Sequence, residues 1–232
     1  MVEKQHALKQ HTLADWRRPQ YANDWAGQDV LRDLLDLPRK MSAALIGHDT
    51  SPRAVLDIGS GPGAFLEIYL DAFPDARGVW SDGSAAMREL AEPELERFAG
   101  RVDFAIAEML DLSPVRSYVP VDVVLSSRAS HHLEPTGLDV FYAQAAGVLG
   151  AGGWIVNLDH IAPADDWNLR YRAVRPQFTG PRKASANSHK HNNPVPSLDQ
   201  HRASLAKAGF VDVDVAWKAF GTVLLMGRKA GA

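Results

Sequence analysis

Residues 55–65 read Val55-Leu56-Asp57-Ile58-Gly59-Ser60-Gly61-Pro62-Gly63-Ala64-Phe65, an apolar run of strand character that passes into closely spaced glycines and then into a helical pattern. Glycine lets a ligand approach the backbone closely, and the unpaired N–H groups at a helix N-terminus suit a carboxylate or a phosphate. The dinucleotide fingerprint is G-x-G-x-x-G, whereas residues 59–63 read G-x-G-x-G with Asp57 two places ahead of the first glycine. A carboxylate there repels pyrophosphate and suits a ligand carrying an ammonium group and a cationic centre. No G-K-[ST] follows, so a P-loop is excluded as well.

Downstream of this loop, short β-branched runs alternate with helical stretches, at residues 54–58, 78–81, 102–106, 121–125 and 154–158. Repeated βα units predict a mainly parallel, doubly wound sheet that binds its ligand at the carboxyl ends of the strands. A helix over 198–208 and strands at 211–215 and 221–226 close the chain as a predicted antiparallel hairpin. Upstream, apolar residues at helical spacing between Leu8 and Ile46, interrupted by Pro19 and Pro38, predict two or three helices. The division expected is a helical cap over 1–50 and one α/β domain over 51–232. Within that domain, the polar stretch 161–196 is too long for a simple connection and reads as a lid or substrate loop.

Composition narrows the function. The 232 residues, 46% hydrophobic and 23% charged, suit one soluble domain with a cap. Lack of cysteine excludes disulfides, thiolate metal sites and a cysteine nucleophile. A net charge of −3 gives no footprint for nucleic acid or an anionic membrane. There is neither a signal-peptide core nor an apolar run long enough to span a bilayer, so the expectation is a cytoplasmic chain with a small-molecule partner, monomeric or homodimeric.

Taken in order, the segments D-I-G-S-G-P-G (57–63), S-D-G-S (81–84), A-E-M-L-D-L (107–112), S-S-R-A-S-H-H-L (126–133), V-L-G-A-G-G-W (148–154) and A-G-F (208–210) resemble the motifs of the class I S-adenosylmethionine-dependent methyltransferases. The resemblance runs from about Arg53 to Lys229. It implies a Rossmann-like, seven-stranded α/β sheet, mostly parallel with an antiparallel C-terminal strand, and S-adenosyl-L-methionine as cofactor. It also implies donor contacts from Asp57, Gly59, Ser60, Gly61 and Gly63. Asp82, with Gly83, would hold the ribose, since a carboxylate accepts both hydroxyl protons. Glu108 would read the adenine amino group where the family more often has aspartate, with Met109 and Met87 as apolar neighbours of the ring, and Ser126 and Arg128 would flank the methionine part. Trp16 and Tyr21 fall where the family often folds a helix over the donor; they are either sulfonium-facing rings or core.

Methyl transfer needs the acceptor held in line with the donor, and a base only where an acceptor proton must leave. His132 is the first candidate, then His131 and His160, all expected at the ligand edge of the sheet; helix-start or capping roles are the alternatives. Between 168 and 191 there are six basic side chains and no acidic one, so His189, His191 and Arg172 are candidates for binding an anionic or aromatic acceptor. A solvated face explains the same charges. His189 and His191 with His160 lack the spacing of a defined metal site, and no metal is expected. The reading is therefore a small-molecule O-, N- or C-methyltransferase, against an RNA or peptide methyltransferase or a domain that binds the donor without transferring it.

Overall fold

The computed structural model describes residues 29–179 and 194–231, together with Pro19. Trp16, Tyr21, His189 and His191 lie outside the described residues. Seven strands form one sheet in the order β3-β2-β1-β4-β5-β7-β6. They are β1 (Ala54–Ile58), β2 (Arg77–Asp82), β3 (Val102–Ile106), β4 (Val121–Ser127), β5 (Leu149–His160), β6 (Phe210–Ala219) and β7 (Thr222–Lys229). All neighbours pair in parallel except β7, which runs against both β5 and β6. The sheet reverses its winding between β1 and β4, the point at which an α/β sheet opens a crevice for a ligand.

Strand alternation builds two cores from one sheet. Val55 of β1, Val123 and Leu125 of β4 and Val156 of β5 face α1 (Asp29–Asp49) and α2 (Ala64–Ala72). Leu56, Ile58, Val124 and Ile155 face the opposite layer, where α4 (Pro135–Val148) and α7 (Leu198–Lys207) supply Phe141, Tyr142 and Leu205. Between β2 and β3 lies α3 (Ala85–Glu94). Register is pinned at the start of β1 by Asp122, whose Oδ2 accepts the Arg53 and Ala54 amides at 2.7 and 3.0 Å.

Three sequence expectations change. Pro38 does not break its helix: α1 continues through it for 21 residues. A proline inside a helix costs about 3 kcal/mol, but Pro38 is buried in a helix whose Leu35, Ala43 and Ile46 enter the core, and Ser42 accepts the Tyr69 hydroxyl of α2 at 3.0 Å. Tertiary packing outweighs the local penalty. The fifth strand, expected over 154–158, already begins at Leu149, and the glycines of 148–154 form a bulge within it, where pairing jumps from Val121↔Leu149 to Val123↔Trp154. Lastly, the stretch expected as a loop over 161–196 contains α5 (Asp165–Val174) and α6 (Pro176–Thr179). Ala162 N–H donates to Pro196 at 2.9 Å, so the segment leaves and rejoins the domain at one point. Among the described residues, no helix is long and apolar enough to cross a membrane.

Candidate active site

A cleft opens at the carboxyl ends of β1, β2, β3 and β4. Its floor is the bend after β1. Gly59 holds φ 65, and a Cβ on it would stand 2.8 Å from the Ala129 Cβ, so only glycine fits between the two loops. Gly63, at φ 91, is the N-cap of α2. The bend is tied to β2 twice: Gly61 N–H donates to Asp82 Oδ2 at 3.0 Å, and Trp80 Nε1 donates to Gly61 O at 2.8 Å.

Asp82 ends β2 at the cleft wall. Its Oδ1 accepts the Ser84 amide at 2.9 Å, and burial pushes its pKa up to about 6 against the pull of the Gly61 and Ser84 N–H groups. Ser84 caps α3, its hydroxyl accepting the Met87 amide at 3.3 Å, which turns buried Met87 into the cleft. Gly83, Ala107, Glu108 and Met109 complete this wall, and Ser127, Arg128, Ala129 and His132 form the facing one.

Three expected donor contacts sit elsewhere. Asp57 is on the β1 face covered by α1 and α2, so it lies beneath the bend rather than on the cleft surface. Ser60 Oγ donates to it at 2.6 Å, turning that hydroxyl away from the cleft as well. Burial raises the Asp57 pKa to about 6, against the pull of Ser60 and Arg39. Ser126 is also covered: its Oγ donates to Ile58 O at 3.0 Å, joining β4 to β1, and the neighbouring Ser127 lines the cleft in its place. That is the one-residue consequence of strand alternation.

The three candidate histidines are brought together but not equivalently. His132, half-buried, lines the cleft. His131 is buried behind it, ring centroids 4.0 Å apart, and His160 stands 5.1 Å from His131 on the other side. Burial, reinforced by His131, lowers the His160 pKa to about 3, so its ring is neutral at pH 7, with Nδ1 3.0 Å from Thr222 Oγ1. Behind all three is Asp159, fully buried, whose Oδ1 lies 2.5 Å from His131 Nδ1. Burial alone would raise this carboxyl; the His131 ring, His160 and the Ser130 hydroxyl instead hold it well below the usual carboxylate range.

Arg128 adjoins His132 on the cleft wall with φ 56, a left-handed conformation that a side chain of this size rarely adopts. Burial, with Arg39 and Arg175, lowers its pKa to about 10 while Asp159 opposes the shift; it remains a cation at pH 7. Arg172 is exposed on α5 and is absent from the cleft lining. The sequence reading missed Ser84, Ala107, Ser127 and Ala129 as lining residues, and the part played by Asp159. Period-two alternation along β5 was the available signal for Asp159, since it places Asp159 on the face opposite His160.

A sequence model described as a methyltransferase domain matches residues 55–153. Trans-aconitate 2-methyltransferase of Methylobacterium radiotolerans is 37% identical over 67 residues, which is 29% of this chain and 24% of that protein. Among solved structures, an O-methyltransferase family protein from Burkholderia thailandensis superposes with a TM-score of 0.67 at 19% identity, over 92% of this chain and 62% of that one. Human N-acetylserotonin methyltransferase, in complex with SAM, gives 0.67 at 15% identity, over 94% and 58% respectively. The chain thus spans about three-fifths of these structures and a quarter of the curated relative. The fold is the Rossmann-like, doubly wound sheet of these structures, and residues 55–153 match a methyltransferase domain. In this chain the sequence match takes in the strands β1 to β4 and the first residues of β5, and so every strand that opens onto the cleft.

Proposed function

We propose that the chain is an S-adenosylmethionine-dependent methyltransferase acting on a small acceptor through O, N or C. The observation that carries this reading is a single cleft joining the side-chain-free bend at Gly59 and Gly61 to the Asp82 carboxylate on one wall and to His132 and Arg128 on the other. The cleft suits the donor: glycine at 59 and 61 leaves the bend free of side chains, and Asp82 keeps acceptor capacity after its two amides, since a carboxylate offers roughly four lone-pair sites. Asp82 would hold the ribose hydroxyls, Glu108 the adenine amino group, Met87 and Met109 the faces of the ring, and the Gly59–Gly63 bend the amino-acid end. When bound, the donor supplies a methyl group on a sulfonium, transferred by in-line displacement.

His132 is the group placed to take a proton from an acceptor oxygen or nitrogen, because its ring reaches the cleft. His160, neutral and lowered to about 3, is a poor base, and His131 is committed to Asp159. Arg128, a half-buried cation beside His132, favours an anionic acceptor, a carboxylate or phosphate ester, over a cationic one. The segment 161–196 serves in this reading as the acceptor-side cover, and the division at residue 50 separates cap from catalytic domain.

Incubation of the chain with methyl-labelled donor and a metabolite extract tests the proposal. A labelled product is expected, and His132→Ala is expected to lower its rate about 10²- to 10⁴-fold, the usual contribution of a positioned base, with donor affinity retained. Donor binding without any labelled product would overturn the reading.

A further inference from the structure

A file of buried polar groups runs from the histidines at the cleft along one face of the sheet to α7, and its hydrogens can be assigned one by one. Asp159, ionised, only accepts. It takes the Ser130 hydroxyl at 2.7 Å and the His131 amide at 3.0 Å on Oδ2, and His131 Nδ1 at 2.5 Å and the His160 amide at 2.7 Å on Oδ1. His131 Nδ1 therefore carries a proton. Having given its only hydrogen to Asp159, Ser130 Oγ must accept from its other neighbour, Asn157 Nδ2, at 2.9 Å. The same Nδ2 lies 3.0 Å from the Tyr142 oxygen. Tyr142 then directs its hydrogen at His201 Nδ1, 2.8 Å away, which must be a bare acceptor.

The reversed amide fails on the same count. With Asn157 Oδ1 facing Ser130 and Tyr142, one hydroxyl hydrogen would have to serve both Asp159 and Asn157, leaving two lone pairs in contact.

We propose that Asn157 is the positioning residue of the site: from one nitrogen it donates to Ser130, keeping that hydroxyl turned onto the Asp159 carboxylate that takes Nδ1–H of His131, and to Tyr142, turning the phenol onto a bare Nδ1 of His201 and leaving the ring hydrogen on Nε2, which has no hydrogen-bond partner among the described residues. Through Ser130 and Asp159 it holds the His131 ring, and with it His132, whose ring packs on His131 at the cleft. The catalytic part of this inference rests on the methyltransferase reading; the tautomer part does not. His201, fully buried with its pKa lowered by that burial, is neutral at pH 7.5, so its ring signals read tautomer rather than charge.

Long-range proton–nitrogen correlation spectra of the ¹⁵N-labelled full chain without donor read both rings, with His201→Asn assigning one set of signals. The expected result at pH 7.5 is a protonated Nδ1 on His131 and an Nε2–H, bare-Nδ1 pattern on His201. Tyr142→Phe, which removes only a hydroxyl, is expected to change the His201 signals and leave those of His131. Asn157→Asp is expected to disturb both sets and lower kcat at least tenfold, with donor Kd changed less than twofold. An Nδ1–H tautomer on His201, or Asn157→Asp spectra and kcat matching the wild type, overturns the proposal. Failure of donor binding or methyl transfer in the wild type would sink the methyltransferase reading and leave the spectra as they are.

Discussion

Each oxygen of Asp82 already accepts one backbone amide, Gly61 on Oδ2 and Ser84 on Oδ1, so the carboxylate locks the glycine bend while keeping capacity for a ligand. Asp82→Ala is expected to weaken donor binding by about 1.5 to 3 kcal/mol, the scale of hydrogen bonds to a charged group, measured by calorimetry. The carboxyl must be ionised to accept, and burial has raised its pKa to about 6. Donor affinity should therefore fall as pH drops through about 6, with protons released on binding below that point. Calorimetry at pH 5.5 and 7.5 in two buffers of different ionisation enthalpy reads both. Asp82 was legible from its place after the second strand. That Ser127 rather than Ser126 reaches the cleft was not, because facing at a strand end depends on where the strand stops.

At the scale of elements, α7 is held by local and tertiary devices together. Ser197 and Gln200 form a capping box, with Gln200 N–H on Ser197 Oγ at 3.3 Å and Ser197 N–H on Gln200 Oε1 at 2.8 Å. Asp139 of α4 accepts Ser204 Oγ at 2.6 Å, and Lys207 Nζ lies 2.7 Å from its other oxygen. Ser197→Ala is expected to destabilise the fold by about 1 kcal/mol, read as a lower urea midpoint with unchanged slope; a larger loss would mean that α7 anchors more than its own packing. The helix itself was visible in the sequence. The uninterrupted α1 was not, since proline propensity is a local quantity and the burial of Leu35, Ala43 and Ile46 is a property of the assembled layers.

Over the whole molecule, buried titratable groups set opposing pH dependences. Asp57 and Asp82 have folded pKa values raised from 3.8 to about 6. Their contribution to stability is fully present below about pH 4 and is lost as pH rises through 6. His160 and His201 are lowered from 6.5, so theirs is present above that value and is lost as pH falls below it. The two sets offset one another between pH 4 and 6.5. Asp57→Asn removes one member: relative to the wild type, the variant should gain about 3 kcal/mol on going from pH 4 to pH 7, the size of a two-unit shift. Urea melts at both pH values check this, and a pH-independent difference would contradict it.

The sequence by itself determined the parallel α/β sheet, the glycine bend, the acids after β2 and β3 and the general place of the histidines, because strand periodicity, glycine spacing and motif order are all local along the chain. Only the tertiary structure decided which of them meet. It put Asp57 under the bend, His132 at the cleft, His131 on Asp159 and Asn157 between two histidines, because burial and hydrogen-bond direction depend on which side of a strand faces which layer and on partners far away in the chain, as Tyr142 and His201 are, 59 residues apart.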